Sequence, residues 1–251
     1  MNSVPGARTG PYIPAAPARP GLVRVCAHIP PGIVDLTGLR VLLIADLLAR
    51  VTELQGLQAF TVWSFTGQAA GQQAAAAAPA ATALNIHPPA ASASCDGRAD
   101  VHVTSAAGPA EGEESAIAVA LARLPGGGSA ADEPGDMLTG RDALAIRLAL
   151  LSFAYHEPAE LTEDTVKNAQ ATLGQWQSRV AVWAESPSRP IPGNIITTFR
   201  SSLEQLDTAA ILAMLHTVAS EGAMATGAKF ETFLHADRVL GLDLASGIGR
   251  L

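Results

Sequence analysis

The sequence predicts an α/β layer followed by a helical bundle. Two patterns carry that reading: a strand–turn–helix–strand unit over residues 22–66, and a series of capped amphipathic helices from residue 141 onward. Composition agrees, since 251 residues with 48% hydrophobic and 16% charged side chains can bury a sizeable core.

Residues 1–20 are rich in Pro, Ala and Gly without an apolar signal core, and are expected to form a disordered tail. Leu22-Val23-Arg24-Val25-Cys26 is a β-branched apolar run that suits a strand, and Pro30-Pro31-Gly32 breaks it. From Asp35, apolar residues recur at helical spacing through Leu39, Leu42, Leu43, Leu47 and Leu54, and Gly56 stops the helix. Ala59-Phe60-Thr61-Val62-Trp63 reads as the next strand, so the unit is the opening of a parallel sheet of two to four strands within residues 21–124. Residues 67–83 collapse into Ala and Gln, a linker or a weak helix. Residues 115–124 (SAIAVALARL) are expected to form an apolar helix on the sheet. Residues 125–140 form a Gly-rich acidic loop, and a bundle of five or six helices fills residues 141–251. Within it Thr162 is placed to cap a helix whose Val166, Ala169, Leu173, Trp176 and Val180 share one face. Ser186 to Gly193 ends that helix. Ile195, Phe199 and Leu203, then Ile211, Leu212, Leu215 and Val218, mark the next two apolar stripes.

Several of these stretches together resemble the class I cysteinyl-tRNA synthetases and the related cysteine ligase of mycothiol synthesis. Aligned without a gap, Cys26 falls on the family's first metal-binding cysteine and Asp35-Leu36-Thr37-Gly38 on its HIGH motif. Arg40 falls on the arginine after HIGH, Asp46-Leu47-Leu48-Ala49-Arg50 on the helix run, and Ser64-Phe65-Thr66-Gly67 on the strand end. Asp100-Val101-His102 stands for the family's Asp-Ile-His. Asp142 to Leu151, DALAIRLALL, is nearly its Asp-Pro-Met-Ala-Ile-Arg-Leu-Ala-Leu-Leu. The resemblance implies a cut-down class I synthetase-type Rossmann-like nucleotide fold followed by the helical bundle. It also implies a zinc site at Cys26, His87, Gly112 and Ala116, where the last two bring no ligand atom. Zinc needs at least three protein ligands, so that site is expected to be lost. His28, two residues after Cys26, projects to the same side of the strand and with His87 leaves a route to a reorganised centre. Trp63 and Thr66 are the candidate ligand-binding positions, Trp63 also reading as core.

HIGH imidazoles and a lysine loop stabilise the charge that develops as an adenylate forms. Here Asp35 to Gly38 stand in the first place and Asp132, Glu133 and Asp136 in the second, and no lysine occurs before Lys167. The expected function is therefore non-catalytic: a synthetase-like protein that binds a partner protein or a small ligand in a biosynthetic pathway, with no cofactor. The alternative is a ligase that uses ATP or an aminoacyl-tRNA to join a cysteine-like amino acid to an amine, in which case zinc or ATP is implied. A net charge of -7 and a pI near 5.3 argue against general nucleic-acid binding. The chain ends after the helix that resembles the family's closing Val-Leu-Gly-Leu, so no anticodon-binding domain is expected. No apolar stretch is long enough to span a membrane. Cys26 and Cys95 make no disulfide framework, and a cytoplasmic location follows.

Overall fold

In the computed structural model of the protein, the described residues are 20–29, 34–65, 70–92, 95, 99–106, 116–124, 138 and 140–249. The expected tail, Thr66, Gly112 and most of the 125–140 loop lie outside them. Strands β1 (Leu22–Ile29), β2 (Gln58–Phe65), β3 (Ala91–Ser92), β4 (Val101–Ser105) and β5 (Ala116–Val119) form one sheet in the order β3-β2-β1-β4-β5. Every neighbouring pair is parallel, so the sheet is Rossmann-like, with β1 at its centre.

Side-chain alternation gives the sheet two different faces. Val23, Val25, Ala27 and Ile29 of β1, with Trp63, Val101, Val103, Ile117 and Val119, are buried in the core on one face. On the other, register pairs Arg24 with Phe60, Cys26 with Val62 and His102, and His28 with Ser64 and Thr104. Helix α1 (Leu36–Leu54) connects β1 to β2 across the apolar face, and its residues from Leu36 to Thr52 are all buried. Asp35 caps its start, and Gly56 at φ +80° turns the chain out of its end.

The sheet has five strands rather than two to four, one stretch takes the helical of its two expected forms, and another is strand rather than helix. The Ala/Gln-rich stretch over residues 67–83, expected as a linker or a weak helix, contains helix α2 (Ala70–Ala83), which packs on β2 and α1 through Ala77, Ala80 and Ala81. Alanine is the best helix former, and three small side chains suffice for close packing, so low complexity concealed an ordered element. The helix expected over residues 115–124 is instead β5 and the short strand β6 (Ala122–Arg123). Along β5 the side chains alternate between half-buried and buried. A short apolar run has no decisive period, and pairing with β4 settles it as strand.

From residue 140 to 249 the regular elements are helices apart from β7 (Ala159–Glu160), which pairs with β6. It comprises α3 (Ala143–Leu151), α4 (Glu163–Trp183), α5 (Gly193–Glu204), α6 (Thr208–Ser220) and α7 (Thr226–Leu240). Thr162 caps α4 as expected, accepting from the Thr165 amide at 3.1 Å. Asp142 and Asp207 cap α3 and α6, and Gly241 at φ +61° ends α7. Helix α3 packs on α4, α5 on α6, and α7 on α4, α6 and α1. Trp176 and Trp183 meet Phe233 edge-on at 5.5 and 5.2 Å. One hydrophobic cluster runs from Val23 on β1 to Leu244 after α7, so sheet and helices share a core.

Candidate functional site

The residues in the HIGH place are occupied in holding the fold. Asp35 accepts from the Gly38 amide at 2.8 Å, and Leu36 is core. The Thr37 hydroxyl accepts from Ala122 N at 3.1 Å and faces Ala122 O at 3.3 Å, tying α1 to β6. A Cβ on Gly38 would lie 3.1 Å from Val34 Cγ1, so this turn of α1 approaches the preceding segment closely. Arg40 is 1% exposed. Its Nη1 donates to the carbonyls of Ala120, Leu121 and Glu157 at 3.1, 3.4 and 2.7 Å, and its Nη2 to those of Phe153 and Ala154 at 3.4 and 2.8 Å. Burial lowers the guanidinium pKa to about 10, against the opposing pull of the Glu157 carboxylate, so it stays cationic at neutral pH. A guanidinium whose two terminal nitrogens share five carbonyls is a clamp between α1, the β5–β6 joint and the 153–157 turn.

The opposite, polar face of the sheet gathers a second group. Parallel register places Cys26 of β1 beside His102 of β4, and His28 follows on the same face. His28 Nε2 lies 2.8 Å from His102 Nδ1, and the rings stack with centroids 5.1 Å apart. Cys26 Sγ and one ring nitrogen from each histidine lie within 4.8 Å of one another. Cys26 is bonded to Cys95, with 6.2 Å between Cα atoms. The sequence reading had two unpaired cysteines. Cys95 lies at the sheet centre beside Cys26 across a separation of 69 residues, too far for spacing to suggest a pair. Sulfur and imidazole donors suit a zinc-class cation.

Of the positions that the resemblance implies as ligands, only Cys26 belongs to this group among the described residues. His87 is turned to Asp46 instead: its Nδ1 lies 3.1 Å from Asp46 Oδ1, and its amide donates to the same oxygen at 3.1 Å. Ala116 has no ligand atom, and Gly112 lies outside the described residues. Beside Cys26 and His28 stand His102 and Cys95, neither of which the sequence reading took as a ligand. The legible signal was that residues two apart on a strand share a face, which joins His28 to Cys26. Adding His102 required knowing that β4 lies next to β1. Trp63 points to the apolar face and is core rather than part of this group.

Asp46 itself is a buried joint between the sheet and the helices. It accepts from Arg50 Nε at 2.8 Å and Arg147 Nη2 at 2.9 Å, while Arg147 also donates to the carbonyls of Leu240 and Leu84 at 2.6 and 2.8 Å. Elsewhere a cavity of about 410 Å³ opens between α3, α4 and α6, lined by Leu148, Ala149, Asn168, Thr172, Leu212 and His216.

No family model matches the chain. Over 95 residues it is 32% identical to a cysteine–tRNA ligase of Paracoccus denitrificans (strain Pd 1222), a stretch covering 35% of this chain and 20% of that protein. The two are distantly related, and the chain matches about one fifth of that relative's length. Among the described residues no helix is long and apolar enough to cross a membrane.

Proposed function

We propose that this chain is a synthetase-related protein that makes no aminoacyl-adenylate and acts by binding a partner protein or small ligand within a biosynthetic pathway. The observation that carries this reading is the use of the HIGH-place residues: Asp35 caps a helix, Thr37 pins β6, and all the donors that Arg40 spends go to backbone carbonyls. Adenylation concentrates negative charge on the leaving pyrophosphate, and donors must be aimed there when it develops. A guanidinium buried among five carbonyls cannot turn to that charge without opening its own clamp. Removal of one such donor costs about 2.7–4 kcal/mol in other enzymes, and here the HIGH donors are missing together. The polar face around half-buried His28 is the surface this reading assigns to a ligand.

Amino-acid-dependent pyrophosphate exchange tests the reading, first with cysteine and then with the other amino acids. The expected result is exchange no faster than a no-protein control at saturating ATP. Turnover above that control overturns the reading and favours a ligase on this scaffold.

A further inference from the structure

We propose that Cys26, Cys95, His28 and His102 form a two-state centre: reduced, they hold one zinc-class cation, and oxidised, they close the Cys26–Cys95 disulfide and release it. This inference stands whether or not the chain is catalytic.

Three of the four donors are positioned by strand pairing rather than by loops. Cys26 and His102 are register partners on adjacent parallel strands, and His28 lies one pleat further along the same face. Their ligand atoms fall within 4.8 Å of one another. The fourth, Cys95 Sγ, is bonded to Cys26 Sγ but stands outside the group of three that meets within 4.8 Å, so it swings toward the imidazoles as the ion enters. Two sulfurs and two imidazole nitrogens make up a tetrahedral zinc set.

The motions required are small. Two nitrogens on one tetrahedral zinc stand roughly 3.4 Å apart, given bonds of about 2.0–2.1 Å. His28 Nε2 and His102 Nδ1 are 2.8 Å apart, so the rings need separate by only about half an ångström to admit the ion. Two thiolates at about 2.3 Å from one zinc lie under about 4 Å apart, so the sulfurs need only spread from their bonded state. A Cα separation of 6.2 Å already lies within the range of a disulfide, and spreading the sulfurs needs no strand to move.

The two states exclude each other, because a sulfur in a disulfide is no longer a thiolate ligand. A small organic disulfide supplies the oxidising equivalents. The half-buried Cys95 thiolate attacks it, forms a mixed disulfide and releases one small thiolate. The Cys26 thiolate then attacks the Cys95 sulfur and releases the second. One small disulfide is reduced to two thiolates, two protein thiolates become one disulfide, and the divalent cation leaves. The two imidazoles are then left to hydrogen-bond each other.

The test uses the full chain purified with a phosphine reductant, loaded with zinc and desalted. We expect about one zinc per chain. Cobalt in its place should give intense tetrahedral bands and a sulfur-to-cobalt charge-transfer band. Cys95→Ser, which leaves the buried Cys26 in place, should reduce that band to about half, and His102→Asn should weaken cobalt binding while His87→Asn leaves the spectrum unchanged. Oxidised glutathione should eject the zinc to a chromophoric chelator as the chain loses the mass of two hydrogens. A reduced chain without stoichiometric zinc, an octahedral cobalt spectrum, an unchanged Cys95→Ser spectrum, or zinc that stays bound after the disulfide forms would each overturn the inference.

Discussion

Asp46 is a buried carboxylate held by three partners. Its side chain is 1% exposed and faces Arg50, Arg147 and His87. Burial alone would push its carboxyl up. The His87 hydrogen bond and the Arg147 and Arg50 charges more than offset this and hold it well below the usual carboxylate range. A carboxyl depressed in the folded state stabilises above its unfolded value of about 3.9, and that contribution is lost as pH falls below it. Asp46→Asn removes the carboxylate that buried Arg147 bonds directly and leaves only the charge of Asp237 to oppose it, so we expect a loss of about 3–5 kcal/mol at pH 7 in denaturant titrations. The gap from the parent should narrow at pH 3. At this scale the sequence was only locally informative. The four-residue spacing of Asp46 and Arg50 on one helix is visible in the chain, whereas Arg147, 101 residues away, joins them only through tertiary packing. The metal-type cluster divides in the same way: Cys26 and His28 are readable as a pair, but His102 and Cys95 are not.

Helix α2 is the element whose existence is easiest to test. Pro79 lies inside it, where it has no N–H for the carbonyl four residues earlier and its ring crowds that carbonyl. Pro79→Ala should therefore raise stability, by about 1–3 kcal/mol in a denaturant titration. An unstructured linker would gain nothing from the change. The elements that were legible have local punctuation. Asp35 and Gly56 bracket α1, Thr162 starts α4, and Asp207 starts α6. Those left open or misread lack it: α2, open between linker and helix, is nearly uniform alanine, and β5, expected as helix, is an apolar run with no turn residue before β6. Composition decides such stretches poorly, because a neighbouring strand or helix supplies the period that the sequence omits.

At the scale of the whole molecule, the strand order β3-β2-β1-β4-β5 is what composition and spacing could not supply. One βαβ unit fixes that the sheet is parallel but leaves open the side on which later strands add. That choice brings β4 beside β1 and so creates the cysteine–histidine cluster. It also leaves α1 between the sheet on one side and α7 on the other. The burial of α1 on every side has a consequence for the molecule's slow clock. A helix with one wet flank can shed its protons to solvent through local fraying, but the central amides of α1 have no flank of that kind. In deuterium exchange the amides from Val41 to Val51 should be the last to label, at a rate set by the opening of the entire molecule. Those of α5, which buries only Phe199, Ser202 and Leu203, should label far sooner. Equal labelling of α1 and α5 would mean that the burial of α1 gives it no protection beyond that of α5, against this expectation. If α1 does label last, its deuterium uptake reads out global opening from a single segment of the chain.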